Sequence, residues 1–357
     1  MPPTRHPDAQ LHTTCLPLKT SKPLLMPPRP EATEHPWLDW INVGLMLAAW
    51  AAAQVAPFQV FLFAYAVLGP LHYATEISWL HDRGYFLKVT SLRNWWLALV
   101  SVTMVLLIYG FVMTDLLGKP VPPKYEVSMV YLVLVTAGLA QFIRRASIGA
   151  GLFAVTCLLI AILSEQRGFF VLAYFLVTII HVLIFTAAFV LYGAMKTRSR
   201  SGLLSLAVFA VCVTGCLLVA SPSIAATADA RLAYRTFEPL NVQLALLFGQ
   251  PATAIYDSDT GLAIMRLIAF AYTYHYLNWF SKTSIIGWHQ ISTSRALAIG
   301  LFWVASIGLY ITSYSMGLAV LYAASLLHVL LEFPLNIHTA AGIGRLVWSR
   351  PDNRSMT

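Results

Sequence analysis

The sequence is poor in charged residues. Of its 357 residues only 11% are charged and 58% are hydrophobic, whereas soluble domains carry about 25% charged residues. This shortage excludes an ordinary water-soluble globular domain and makes lipid the expected solvent for most of the chain. The formal net charge of +8 does not indicate a nucleic-acid partner, because no basic stripe interleaved with aromatics occurs and the Lys and Arg residues lie at the ends of apolar runs.

Cysteines and the common catalytic motifs are also scarce. Four cysteines imply no disulfide framework, and the Cys212/Cys216 pair, one helical turn apart, is better interpreted as two small buried residues than as a metal site. A phosphate-binding glycine loop, a dinucleotide-binding fingerprint and a serine nucleophile elbow are absent from the sequence. Their absence weakens hydrolase, ATPase and dehydrogenase interpretations.

The sequence instead contains ten long apolar runs. Each is bounded by charged residues or by Pro/Gly clusters, which predicts an all-α, polytopic membrane helix bundle with about ten transmembrane helices. Nine or eleven spans remain open, since only Arg144 and Arg145 separate the fourth and fifth runs. The runs are 38–56, 58–80, 95–114, 127–143, 147–164, 168–195, 202–222, 261–281, 296–312 and 315–336.

The distribution of positive charge predicts the topology. Loops that are cytoplasmic when the amino terminus is inside carry the excess of Lys and Arg, so both termini are predicted to be cytoplasmic, in a bacterial-type inner membrane. We expect residues 1–36 to be a disordered cytoplasmic tail, 37–345 the transmembrane domain, and 346–357 a second cytoplasmic tail. The long outer connection at 223–260 is expected to be a plain surface loop, with an amphipathic lid as the alternative.

Every histidine beyond the amino-terminal tail lies in, or just after, an even-numbered predicted helix. His72, His181, His275 and His328 lie in the central or cytoplasmic part of helices two, six, eight and ten. In the predicted topology these four helices run in the same direction. The sequence therefore predicts that the four imidazoles meet at a similar depth.

Two of these helices share a second feature, a glutamate four residues after the histidine. The pairs are His72/Glu76 and His328/Glu332, and a spacing of four places both side chains on one helical face. Ionisable groups within a bilayer cost several kcal/mol unless they are paired or ligated. The pattern predicts a metal site, with both glutamates as candidate catalytic residues. The six candidate ligands are His72, Glu76, His181, His275, His328 and Glu332.

The ligand types favour non-haem iron, since mixed histidine and carboxylate ligation with open positions suits iron that activates dioxygen. Manganese or zinc would also fit, and haem would leave both glutamates unexplained. Six further residues are candidates for the surroundings of the site, although solvated histidines and an interfacial aromatic belt explain them about as well. They are His81, His289, His338, Tyr73, Tyr274 and Asn278.

Two stretches resemble the bacterial Brp/Blh-type β-carotene-cleaving membrane oxygenases. They are Gly69-Pro-Leu-His-Tyr-Ala-Thr-Glu-Ile-Ser-Trp-Leu-His81 and Tyr274-His-Tyr-Leu-Asn-Trp279. The resemblance implies a multi-spanning fold and iron held by helix-borne histidines, here His72, His181, His275 and His328. The Pro-His-Gly signature associated with that family is absent, since Tyr73 follows His72.

These observations together favour a membrane oxygenase that uses non-haem iron on a lipophilic substrate such as a carotenoid or lipid. Membrane lipids and that substrate are the expected partners. A proton-coupled transporter, in which the buried glutamates and histidines relay protons, is the main alternative. A haem-binding or a non-catalytic membrane assembly protein remains a third.

Overall fold

The fold was analysed in a computed structural model, which describes residues 36–122, 124–143, 145–219, 222–250 and 255–348. The predicted amino-terminal tail lies outside these residues, apart from its last position. Residues 349–357 of the predicted carboxy-terminal tail also lie outside them. The last helix continues to Trp348, three residues beyond the predicted end of the transmembrane domain.

The described chain contains ten long helices and no strand, which confirms the all-α bundle. Each predicted apolar run overlaps one of these helices, so the hydropathy pattern located every long element. The helices are α1 Pro36–Val55, α2 Pro57–Asp82, α3 Thr90–Thr114, α4 Lys124–Phe142, α5 Ala146–Leu163, α6 Arg167–Thr197, α7 Arg200–Leu218, α8 Asp259–Ser281, α9 Thr293–Thr312 and α10 Tyr314–Trp348.

Eight of these helices are long and apolar enough to cross a membrane, as judged on the described residues. The other two are α5, whose described apolar stretch is the shorter Ser147–Leu163, and α8, whose sequence is rich in Tyr, Thr and other polar residues. Helix α8 is buried along most of its length, so it faces protein rather than lipid and does not need an apolar surface. The count of ten spans and the cytoplasmic placement of both termini stay predictions.

Serine residues fix where three of the helices begin. The hydroxyls of Ser199, Ser258 and Ser292 accept hydrogen bonds from backbone amides three residues further along, at the starts of α7, α8 and α9. Such N-caps satisfy amides that have no partner inside the helix. The serine caps therefore define the residue at which each helix begins, Asp259 in the case of α8.

Helices α8 and α10 form the centre of the bundle. Helix α8 packs against α1, α2, α6 and α7, while α10 packs against α2, α3, α4, α6 and α9. The helices form two hydrophobic clusters, one around α8 and the other around the middle of α10. Helices α2 and α6 contact both central helices, so the four histidine-bearing helices meet between the two clusters.

Two of these four helices contain π-helical turns close to the site histidines. One turn covers Ala64–Leu68 in α2, and a longer one, Leu176–Phe185, includes His181 in α6. Pro70 follows the first turn and cannot donate a backbone hydrogen bond, and the Trp303 indole of α9 donates to the Val67 carbonyl at 2.8 Å. Inserted π turns rotate the side chains that follow them and are frequent at functional sites.

The connection at 223–260 is not the plain surface loop expected from the sequence. It contains two short helices, Ala228–Tyr234 and Glu238–Leu247. Phe237 and the fully buried Tyr234 pack edge-to-face on Phe61 of α2, and the Tyr314 hydroxyl donates to the Ala233 carbonyl. Burial of these aromatic rings supplies the packing that orders the segment.

Two adjacent tryptophans provide a test of the packing between α3 and α4. The fully buried Trp96 donates from its indole nitrogen to the Val133 carbonyl at 3.2 Å, whereas Trp95 is 73% exposed. We expect Trp96→Ala to destabilise the protein by about 3–5 kcal/mol, because it leaves a large cavity, and Trp95→Ala to cost less than about 0.5 kcal/mol. Unfolding of the detergent-purified variants measures both, and equal losses would contradict this packing.

Candidate metal centre

Four histidines from four helices converge in the middle of the bundle. His72 of α2, His181 of α6, His275 of α8 and His328 of α10 are all buried, with exposures of 1%, 1%, 6% and 2%. Their rings form a closed circuit in which neighbouring centroids lie 4.8 Å (72–275), 4.9 Å (275–181), 5.0 Å (181–328) and 5.2 Å (328–72) apart. The predicted convergence of the imidazoles is therefore present in the structure.

The rings face one another in two pairs, and in each pair the facing nitrogens are both Nε2. The Nε2 atoms of His72 and His275 are 3.1 Å apart, and those of His181 and His328 are 3.2 Å apart. Two nitrogens bound to one metal at about 2.1 Å lie roughly 3.0 Å apart at a right angle and roughly 3.4 Å apart at a tetrahedral angle. Both observed separations fall between these values, so the nitrogens are spaced as metal ligands would be.

Three of the histidines form a group that could hold a metal ion. Each of His72, His275 and His328 offers one ring nitrogen, and the three nitrogens lie within 4.8 Å of one another. His181 joins this group through His328. The bundle therefore contains a buried group of histidines that could bind a metal ion.

The outer nitrogens of the four rings differ in their surroundings. Nδ1 of His72 and Nδ1 of His328 have no hydrogen-bond partner among the described residues. Nδ1 of His181 lies 3.2 Å from a Glu332 carboxylate oxygen, but without hydrogen-bond geometry. Nδ1 of His275 has a hydrogen-bond partner, the Thr186 hydroxyl at 2.8 Å. Metal-ligating histidines characteristically donate their second N–H to such acceptors, which fixes the tautomer and the ring orientation.

The two glutamates do not play the equivalent parts that their matching spacing predicted. Glu76 lies 3.1 Å from Nε2 of His72, on the inner side of the histidine circuit and on the same helix. Glu332 instead reaches from α10 to the outer nitrogen of His181 on α6. The matching sequence spacing therefore brings Glu76 to the ligand nitrogens and Glu332 to the back of a neighbouring imidazole.

Of the aromatic and amide candidates, Tyr73 lies at the site. Its ring stacks on His328 with centroids 4.3 Å apart, and its hydroxyl is 2.6 Å from that of Tyr276. Tyr274 instead stacks on Phe270 and contacts Asn278, at a distance of 3.5 Å between the Tyr274 hydroxyl and Oδ1. Adjacent helical residues diverge by about 100°, which turns Tyr274 away from the face that carries His275.

The three boundary histidines have neighbours of other kinds. His81 is exposed beside Asp82, with 3.6 Å between Nδ1 and Oδ1, and its ring lies near Tyr85. His289 is exposed beside Trp288, and His338 packs near Phe86. Cys212 and Cys216 are free thiols buried in the hydrophobic cluster around α8. None of these five residues joins the histidine circuit in the described structure.

Sequence reasoning missed Thr186, and it interpreted Tyr276 as one of several belt or packing aromatics near His275. Thr186 follows His181 in α6 but contacts His275 of α8, so no spacing within one helix indicates its role. Tyr276 adjoins His275, yet its partner Tyr73 comes from α2. Contacts between helices of this kind have no local sequence signature.

Comparison of the chain with protein-family models, with curated proteins and with solved structures found no match.

The contact between Thr186 and His275 predicts an effect on metal affinity. We expect Thr186→Val to weaken binding of a divalent metal about 10–100-fold, because the valine leaves the outer nitrogen of His275 without its partner. Thr178→Val is the matched control, since the Thr178 hydroxyl on the same helix donates only to the Tyr174 carbonyl at 2.6 Å. Competition with a chelator measures both affinities. The same affinity in both variants would contradict the positioning role.

Proposed function

We propose that this protein is an integral-membrane oxidoreductase in which His72, His181, His275 and His328 hold a non-haem iron that acts with dioxygen on a lipophilic substrate. The observation that carries the proposal is the buried group of His72, His275 and His328, whose ring nitrogens lie within 4.8 Å of one another. His181 lies beside this group, with its Nε2 3.2 Å from Nε2 of His328.

Iron is favoured over the other metals by the ligand set. Imidazole suits iron, zinc, copper and nickel, and thiolates, which would direct the choice toward zinc or copper, are absent from the circuit. The nearby Glu76 carboxylate adds the ligand type found in non-haem iron oxygenases. Manganese and zinc remain compatible with these groups. Haem fits less well, because a porphyrin needs a flat slot between two axial rings and neighbouring rings here are 4.8–5.2 Å apart.

The residues around the histidines have separable tasks. Thr186 holds the imidazole of His275 with Nε2 inward, and Glu332 lies 3.2 Å from the outer nitrogen of His181, while burial in the bundle keeps bulk water away from the ring nitrogens. Glu76 lies beside the ligand nitrogens, where it can complete the ligand set or accept a proton from a bound molecule. A ferrous ion held there would supply the chemistry of dioxygen activation.

A lipophilic substrate follows from the location of the site. Three of the four histidines lie in long apolar helices, and the fourth lies in α8, which these helices enclose. A carotenoid or another lipid dissolved in the bilayer therefore has the shortest route to them. The resemblance of the His72 and His275 stretches to the Brp/Blh-type oxygenases agrees with such a substrate. Placement in a bacterial-type inner membrane is part of the same proposal.

A proton-coupled carrier is the second candidate, and one observation favours it. Each buried glutamate lies at the start of a chain with two imidazoles, Glu76–His72–His275 and Glu332–His181–His328, with contact distances of 3.1–3.2 Å between residues. In the second chain the two contacts of His181 use different ring nitrogens, so a proton could pass through the ring. Such chains relay protons in membrane transporters. In that function, the glutamates would titrate during each cycle and no resident metal would be required.

Metal content separates these two functions. We expect protein expressed with iron supplied and purified in detergent to carry about one iron ion per chain, as a single circuit of four imidazoles provides one site. His72→Ala and His328→Ala are each expected to lose that iron, because each removes one of the four inner nitrogens. His289→Ala, at an exposed histidine outside the circuit, is the control and should retain it. Elemental mass spectrometry measures all four proteins.

If the wild-type protein carried no metal, this result would contradict the proposed oxidoreductase function. If metal-free protein in liposomes also conducted protons, and Glu76→Gln abolished the flux, the carrier would take its place.

A further inference from the structure

Two tyrosines lie directly beside the histidine circuit. The Tyr73 ring stacks on His328 with centroids 4.3 Å apart, and the Tyr276 ring lies 5.1 Å from His72. The two hydroxyls are 2.6 Å apart, and both side chains are fully buried. Phenol, indole and thiol groups give up an electron more readily than other side chains do. This pair of phenols is therefore placed to exchange electrons with a metal ion held by the histidines.

Further aromatic rings lead from this pair to the connection before α8. The Tyr272 ring, one turn before Tyr276, lies 6.3 Å from that of Tyr276 and 5.2 Å from that of Phe61 on α2. Phe61 lies 5.4 Å from Tyr234, and Tyr234 lies 6.5 Å from Tyr256. These rings form one continuous series, which we call the ring series. Its members are Tyr73, Tyr276, Tyr272, Phe61, Tyr234 and Tyr256.

Packing alone does not account for the phenols of the ring series. Tyr234 is fully buried and Tyr272 is 8% exposed, and phenylalanine would fill the same space without burying a hydroxyl, which costs free energy unless it is hydrogen-bonded. A phenol differs from a phenylalanine ring in that it can be oxidised by one electron under mild conditions. Electron tunnelling slows steeply with distance, so a relay requires oxidisable rings at short steps, as they are here.

The last ring of the series has a proton acceptor. The Tyr256 hydroxyl donates to a Glu238 carboxylate oxygen at 2.6 Å, and the Tyr256 side chain is half-buried. The Arg231 guanidinium lies 4.8 Å from the Tyr256 ring, but it pairs with Asp257 at 2.9 Å, which offsets its charge. An oxidised phenol is a far stronger acid than a neutral one, and a carboxylate within hydrogen-bond reach takes up its proton. Tyr256 can therefore be oxidised and lose its proton in one place.

The inner phenols have weaker proton acceptors. Tyr73 and Tyr276 contact each other's hydroxyls, and Tyr234 donates to the side-chain oxygen of Asn241. A hydroxyl and an amide are much weaker bases than a carboxylate. An oxidising equivalent that starts beside the histidines is therefore most stable at Tyr256, at the far end of the series.

We propose that the ring series is an electron relay, through which a water-soluble hydrogen-atom donor of the ascorbate or thiol class reduces the metal centre at a distance. In one cycle an electron passes along the series to the oxidised metal ion, and the Tyr256 hydroxyl proton moves to Glu238. The donor then gives a hydrogen atom to the Tyr256 phenoxyl oxygen and becomes a radical, while Glu238 releases its proton to water. The use of these electrons rests on the proposed function, whereas conduction along the rings requires no metal.

Photo-oxidation tests the relay without metal. A ruthenium polypyridyl photosensitiser is attached to His289→Cys, at an exposed position, and a cobalt(III) quencher makes it an oxidant under light. Cys15 and Cys157 are first replaced by serine, while the buried Cys212 and Cys216 stay. Position 289 adjoins Trp288 on the opposite side of the histidines from Tyr256, so the oxidising equivalent must cross the bundle to reach Tyr256.

The rings between the photosensitiser and the histidines are also closely spaced. The oxidisable indole of Trp288 lies 6.2 Å from Phe280, and Phe280 lies 6.4 Å from His72. We expect illuminated, frozen protein to show the electron paramagnetic resonance signal of a tyrosyl radical, and Tyr256→Phe to remove it. Tyr125→Phe, at a tyrosine that is 53% exposed and outside the series, should leave the signal unchanged.

Two further variants test the path and the proton acceptor. Tyr272→Phe keeps the ring but removes the oxidisable phenol, so we expect the radical yield to fall several-fold. Tyr274→Phe, on the same helix but stacked on Phe270 outside the series, is the matched control and should keep the yield. Glu238→Gln should also lower the yield several-fold, because the oxidised Tyr256 then has no carboxylate to take its proton.

Each outcome bears on one part of the proposal. Equal yields in Tyr272→Phe and Tyr274→Phe, or a signal that survives Tyr256→Phe, would overturn the relay. Ascorbate or glutathione should shorten the lifetime of the radical, and an unchanged lifetime with both would overturn the donor. Because light supplies the oxidant, a working relay in protein that binds no iron would contradict only the proposed oxidoreductase. A failed relay in iron-loaded protein would overturn the relay and leave that function standing.

Discussion

The architecture depends on the cost of keeping four imidazoles and two carboxylates inside an apolar bundle. Each of these groups loses its hydration there, and the loss is tolerable only if the groups satisfy one another or share a cation. In the structure these groups are neighbours between α2, α6, α8 and α10, with distances of 3.1–3.2 Å from His72 to His275 and from His181 to His328. Helix α8 is enclosed by other helices for the same reason, since its polar residues could not face lipid.

The orientation of the imidazole rings matters more for metal binding than their proximity alone. A cluster held only by mutual hydrogen bonds would be satisfied by any mixture of inner and outer nitrogens. Here Thr186 forms a hydrogen bond with the outer nitrogen of His275, and Glu332 lies 3.2 Å from that of His181, so in both rings Nε2 is the nitrogen that faces another histidine. Glu76 is the exception, because its carboxylate lies on the inner side beside His72. The two carboxylates would therefore affect a bound ion differently. Glu332 would act through the imidazole of His181, whereas Glu76 would act directly beside the ligand nitrogens.

The sequence predicted the helices and the histidine circuit well, because both depend on local patterns. The length of an apolar run must match the thickness of the bilayer, which reveals the helices. Buried histidines need partners, so their convergence could be predicted once the helices had been assigned. Pairing between helices was harder to foresee. The spacing of His328 and Glu332 matched that of His72 and Glu76, yet Glu332 contacts His181, and Tyr274 turns away while Tyr276 faces Tyr73. The π turns near Ala64 and His181 shift the register of the side chains in a way that simple helical periodicity does not capture.

A repeated offset in sequence can become a common depth in the bundle. Tyr65 and Tyr174 precede His72 and His181 by the same seven residues. In helices that run in the same direction, a common offset places side chains at a common height, whereas in antiparallel helices it would spread them to both sides of the histidines. The same relation explains why histidines of four separate helices could be expected to meet, since these helices run in the same direction in the predicted topology.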